Sequence, residues 1–247
     1  YFGLTGPLFI AMGATLIKDM LPVDTSKPPK RVGNSYDGPK GTMSDLAAES
    51  GTVYCQVIGT MAIMTCLAVY FSGSKLRLFL TQLPFNCIML KHIFVDGLMP
   101  PPPVLAMGFG VLGLTAWSSL AGGPERVAKY VFLGFYALNT VVFKADPDKV
   151  LTDTWPEITN GRTPDAHEMC KIFVGVIALY CAMLVVLVGM DSPLNMAVAM
   201  TLGMGQVYND VFVMDSGPPL PVLVMFIIVF VSSWYGVIAA PKNSKKE

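Results

Sequence analysis

Apolar residues in this chain do not alternate, and they seldom keep to one helical face. They come in runs of about twenty, separated by short clusters of Gly, Pro, Ser and charge. A helix needs about 20 apolar residues to cross a bilayer. On that measure the runs predict spans at roughly 2–21, 50–73, 76–98, 103–121, 128–144, 168–190, 193–214 and 220–240. The joints carry turn chemistry: Ser72-Gly73-Ser74, Pro100–Pro103, Asp191-Ser192-Pro193 and Gly217-Pro218-Pro219. The expected fold is therefore all-α, a polytopic bundle of about eight transmembrane helices.

The pattern repeats. A shift of about 118 residues carries Phe94-Val95 onto Phe212-Val213, Pro100-Pro101 onto Pro218-Pro219, and Pro103-Val104-Leu105 onto Pro221-Val222-Leu223. It also lays Ser74-Lys75-Leu76 on Ser192-Pro193-Leu194. A looser match sets Phe9, Ala11 and Lys18 against Phe135, Ala137 and Lys144. Each half reads as one helix, a long polar loop, then three helices on short turns. The halves are residues 1–122, with loop 22–49, and 123–247, with loop 145–167. Four spans per half bring both halves in from the same face, so the repeat is parallel about an axis along the membrane normal.

Composition sharpens this picture. Of 247 residues 53% are hydrophobic and 14% charged, against about 25% charged in soluble domains. Seventeen basic and seventeen acidic residues cancel, which gives no global field for nucleic acid. The short loops on the face of the termini hold Lys75, Arg77, Arg126, Lys129, Lys242, Lys245 and Lys246 against Glu125, Asp191 and Glu247. The positive-inside rule turns that face to the stroma, matrix or cytoplasm. The long loops are polar and rich in Pro and Gly. Residues 25–39 would be disordered in isolation and are expected to order against a partner, while Trp155-Pro156 suits an interfacial anchor. A start at Tyr1 rather than Met fits a chain imported into an organelle. Five cysteines, Cys55, Cys66, Cys87, Cys170 and Cys181, lie in apolar runs with no CxxC pair, so they read as packing residues.

Few ionisable groups sit at membrane depth, and such residues are functional candidates because charge is expensive there. They are Lys91, His92, Asp96, Asp210 and Asp215. Asp96 and Asp215 precede the Pro corners and read as helix-end residues at the interface. The shift places His92 on Asp210 and Lys91 on Asn209, so polar pairs fall at equivalent places in the two halves. Three roles follow: a Lys91–Asp210 or His92–Asp210 pair tying the halves; proton or solute passage between them; or axial ligation of a chlorophyll magnesium by neutral His92, with Asn209 or Gln206 as the second-half ligand. Lys91 is also long enough to snorkel to the headgroups. His167, Glu168 and Glu49 read as residues near helix N-termini. Gly108-Phe-Gly110-Val-Leu-Gly113 has the spacing of a dinucleotide fingerprint but lacks the strand such a site needs. These glycines, with Gly203 and Gly205, are expected at close helix approaches.

The first span, Gly6-Pro-Leu-Phe-Ile-Ala-Met-Gly13 running to Ile17-Lys18, resembles the opening helix of DoxX-like four-helix membrane proteins. The resemblance implies a four-helix unit, here duplicated. In the second half Phe132 and Asn139 replace Gly6 and Gly13. No nucleophile–base constellation is evident. The expected function is a non-catalytic accessory or scaffold subunit of an organellar energy-conversion supercomplex, with polar interiors nearly absent and larger membrane subunits as partners. A photosystem–antenna assembly in the thylakoid is favoured, with chlorophyll, carotenoid and lipids as cofactors. The alternatives are a mitochondrial respiratory complex or ATP synthase, a small-solute or proton transporter, and a quinone-site oxidoreductase.

Overall fold

The computed structural model describes residues 2–20, 45–97, 102–147, 149–150, 164–190, 192, 194–208 and 220–239. These form eight long helices and no strand: α1 (Phe2–Met20), α2 (Asp45–Tyr70), α3 (Arg77–Phe94), α4 (Pro102–Ala121), α5 (Glu125–Ala145), α6 (Pro164–Gly189), α7 (Asn195–Tyr208) and α8 (Leu220–Ala239). The chain is all-α. One described helix, α4, is long and apolar enough by itself to cross a membrane. Shorter apolar stretches run over Phe2–Ala11, Cys55–Tyr70, Phe173–Gly189 and Leu223–Ala239.

α2 and α6 start well before their apolar runs. α2 takes in Asp45–Glu49, whose Leu, Ala and Glu are good helix formers. α6 begins at Pro164, a favoured first helical residue because its missing N–H has no intrahelical partner to lose. The polar loops are shorter by those residues. The turn at Gly73 is as expected, with φ +83° and a Ser74 N–H bond to the Phe71 carbonyl at 2.9 Å. Gly97 (φ +70°) ends α3, where the Val95 and Asp96 amides both bond the Lys91 carbonyl. Gly122 (φ +71°) ends α4. Residues 25–39, Trp155, and the corners at Pro100 and Pro218 lie outside the described residues.

α2 packs on α6 at the centre. Around that pair α1 packs on α2 and α5 on α6, α3 on α2 and α7 on α6, α4 on α3 and α8 on α7. Exchanging α1–α4 for α5–α8 leaves that set of pairs unchanged. α4 also packs on α5, and α3 touches it. Helix bounds follow the same shift: Asp45–Tyr70 moved by 118 gives 163–188 against the observed 164–189, and Pro102–Ala121 gives 220–239, where α8 lies.

Burial is concentrated on the central pair. α2 buries Cys55, Ile58, Met61, Met64 and Ala68; α6 buries Val174, Cys181, Leu184 and Leu187. The outer helices turn large apolar side chains outward, among them Leu4, Leu8, Trp117, Leu120, Val141, Ile228 and Ile238.

Among the described residues α1 crosses α2 at backbone contact. A Cβ on Gly59 would stand 2.5 Å from the Gly6 carbonyl oxygen, so the two backbones touch. Of the five glycines expected at close approaches, Gly108 and Gly203 are so placed, whereas Gly110, Gly113 and Gly205 face open space. That expectation is corrected for those three, which lie off the packed face of their helices. Gly108 on α4 lies against the Phe85 ring of α3, and Gly203 on α7 lies against the Phe226 ring of α8. Under the shift Phe85 falls on Gly203 and Gly108 on Phe226. The same contact in the two halves keeps one ring and one gap, with the bearers exchanged.

Candidate functional site

Among the described residues, polar clusters and a cavity lie between the helices. The first cluster sits where α3 ends beside α2. Lys91 Nζ is 2.8 and 2.6 Å from the two Asp96 carboxylate oxygens and donates to Gln56 Oε1 at 3.0 Å. The His92 ring is wholly buried, with Nε2 3.4 Å from Gln56 Oε1 and 3.8 Å from Asp96 Oδ2. The helix end explains the meeting. Lys91 and His92 occupy the last turn of α3, and the Gly97 turn folds Asp96 back onto them.

Lys91 thus takes Asp96 as its ion partner within its own helix end, and Asp96 has a larger part than a turn residue. Asn209, Asp210 and Asp215 lie outside the described residues, as do the side chains of His167, Glu168 and Glu49. Both expected pairings with Asp210 therefore fall outside them too. Gln206 is described: its Oε1 accepts from Lys144 Nζ at 2.7 Å, which joins α7 to α5 and not to His92. Among the described residues no three His, Cys, Asp or Glu side chains converge as metal ligands.

The second cluster is deeper and was not foreseen. Tyr136 on α5 donates to Gln82 Oε1 on α3 at 2.7 Å, and Gln82 Nε2 donates to Asn86 Oδ1 at 3.1 Å. All three side chains are buried. The expectation of a nearly apolar interior is corrected here. Gln82 and Asn86 lie one turn apart on α3, and a single helix cannot satisfy both amides, so a phenol from another helix completes the chain. The only hint in the sequence is that spacing of two amides inside an apolar run.

A further polar tie comes from a residue that the charge pattern places among the loop cations. Arg77, the first residue of α3, donates Nε to the Ala68 carbonyl and Nη2 to the Leu187 carbonyl, each at 2.7 Å. Those carbonyls belong to the last turns of α2 and α6, where helices leave acceptors unsatisfied and a cation is favoured by the dipole. One guanidinium closes both central helices. Asn195, which the shift equates with Arg77, also donates to the Leu187 carbonyl, at 3.2 Å. Around the two residues the turns match bond for bond: Leu76 N to Ser74 Oγ and Leu194 N to Ser192 Oγ, both 3.2 Å.

The cavity lies among α2, α3, α4, α5 and α6 and has a volume of about 50 Å³. Its floor is Val57, Met61, Met89, Val174, Ile177 and Cys181, all buried. Neither Lys91 nor His92 lines it.

No protein-family model, curated protein or solved structure matches the chain. Its site has to be read from its own chemistry. Most of the polar groups described above bond across helices and hold them together, while the buried Asn86 Nδ2 and His92 Nδ1 atoms make no hydrogen bond.

Proposed function

We propose that the chain is a membrane-embedded, non-catalytic scaffold subunit: eight spans built as two parallel four-helix repeats about the α2–α6 contact. The observation that carries this reading is the outward-facing apolar surface of the peripheral helices. Ile238, Leu4, Leu120 and Val141 are each more than three-fifths exposed, and α4 and α8 contain no Asp, Glu, Lys or Arg. Surfaces of that kind need lipid or a partner subunit, since soluble monomers seldom carry contiguous apolar patches beyond a few hundred Å². The four-helix unit implied by the DoxX-like first helix agrees with a repeat. The symmetric helix pairing and the matching turns at Ser74 and Ser192 support its parallel sense.

The setting we favour is an organellar energy-conversion supercomplex, a photosystem–antenna assembly in the thylakoid ahead of a respiratory one, with both termini on the stromal or matrix face. For His92, the surroundings support pairing better than chlorophyll ligation. Its Nε2 faces Gln56 and Asp96 and the whole ring is buried, whereas an axial ligand must present a ring nitrogen to an open plane. Passage of protons or small solutes has less support, because the described cavity is apolar and Lys91 is held by Asp96. The test is to extract membranes with alkaline carbonate, then purify the chain in mild detergent and record absorption and co-purifying subunits. Retention in the membrane pellet with larger membrane subunits is expected. Release by carbonate would overturn the embedded reading, and an absence of photosystem subunits and pigment would overturn the photosynthetic setting.

A further inference from the structure

The α4–α5 pair is pinned at one end by its turn, and the cavity lies toward the other end, where the buried Val150 also lines it. Gly122, Gly123 and Pro124 join the two helices in a tight turn, and the Gly123 amide bonds back to the Trp117 carbonyl at 3.1 Å. At the far end Val104 of α4 and Phe143 of α5 form the half-buried rim of the cavity, with Phe85 and Asn139. The wedge between α4 and α5 therefore leads inward to the buried floor of α2 and α6.

The wall chemistry restricts what can enter. At about 50 Å³ the space is several times the roughly 10–15 Å³ one water needs, but a water also requires two or more polar partners. On the wall the Tyr136 hydroxyl donates to Gln82 and Asn139 Nδ2 donates to the Phe135 carbonyl at 2.7 Å, which leaves few polar atoms to hold a water. The rest is Val, Ile, Met and Phe with one buried thiol. Water is disfavoured there, and so is a ligand group that must be hydrogen-bonded. Methionine and phenylalanine walls adapt to a flexible apolar guest.

We propose that this wedge is a binding site for a hydrocarbon chain, inserted from the bilayer between Val104 and Phe143. The occupant is an acyl chain of a membrane lipid or the polyprenyl chain of an isoprenoid, which share this chemistry. The inference rests on the membrane reading above and adds a specific guest to it. The full chain is reconstituted in vesicles containing either a phospholipid with a diazirine in one acyl chain or a diazirine-bearing polyprenol. After irradiation the labelled peptides are mapped. Label on the floor residues Met61, Met89 or Ile177 is expected, and the arm that gives it identifies the chain. Val174→Trp, which fills the floor, and Val104→Trp, which blocks the half-buried rim, should each abolish that label. Label on the outward-facing Ile228 should persist. If Val174→Trp does not fold, Val104→Trp alone carries the comparison. An unlabelled floor with Ile228 labelled in both arms would overturn the site and leave the membrane reading intact. Loss of label at Ile228 as well, with protein that does not float with the vesicles, would overturn both.

Discussion

At the scale of single residues, the buried hydrogen bond between Tyr136 and Gln82 is the most exposed to test. Removing the hydroxyl leaves an interior amide oxygen without its donor, and a buried unsatisfied group costs about 1–3 kcal/mol. Tyr136→Phe should lower stability within that range, whereas replacing both partners by apolar residues should cost less than the two single changes summed. Side-chain bonds between membrane helices average about 0.6 kcal/mol and reach about 1.7. A double-mutant cycle in detergent should return a coupling of that size, and none would show that the bond is not formed. Arg77 is the second case. A guanidinium hydrogen-bonded to two helix-end carbonyls should be worth about 1.5–3 kcal/mol. Arg77→Leu should lose that much in a thermal melt, and Arg77→Lys should recover only part because an ammonium lacks the planar fork. Lys75→Leu, at an exposed position two residues earlier, is the control and should be nearly neutral.

Among elements, close approach separates glycines that the sequence alone treats alike. Gly59→Ala puts a methyl group against the Gly6 carbonyl and should force α1 away from α2, at about 1–3 kcal/mol. Gly110→Ala and Gly205→Ala meet nothing within 4 Å and should be neutral or stabilising by about 0.5–1 kcal/mol, the usual helical gain over glycine. Equal losses at all three would mean that the α1–α2 crossing is looser than described. Helix positions were legible because apolar runs of membrane length are punctuated by Gly, Pro and Ser, and the described bounds lie within a few residues of the expected ones. The starts at Asp45 and Pro164 were less so, since polar residues with good helix propensity look like loop when hydropathy is the guide. The Tyr136–Gln82–Asn86 chain was barely legible. Its members are uncharged, and Tyr136 is 54 residues from Gln82, so no local pattern joins them. For His92, its neighbour Asp96 was visible in the sequence, but Gln56 was not.

For the whole molecule, the proposed parallel repeat makes a statement about sidedness. In a cysteine-free background, single cysteines at Lys75 and Ser192 should be labelled by an impermeant maleimide from the same side of sealed vesicles. A cysteine at Asp146, beyond the end of α5, should be labelled from the other. Labelling of Lys75 and Ser192 from opposite sides would exclude two halves related by rotation about the bilayer normal. The match between halves is carried in the sequence by the Pro-rich corners, of which Pro100 and Pro218 lie outside the described residues. The α2–α6 core was not legible there, because two uniformly apolar helices show no face that names its neighbour.

The exchanged ring and gap bear on how such a duplicated chain sorts itself during folding. The α3–α4 and α7–α8 hairpins hold equivalent places, α3 on α2 and α7 on α6. A crossed pairing of α3 with α8 would set the Phe85 and Phe226 rings in one space. The complementary error, α7 with α4, would leave Gly203 facing Gly108 across a hole. Each mistake is penalised by shape alone, one through collision and the other through lost packing. Two small residues and two aromatic rings thus favour each hairpin's own partner over the crossed one.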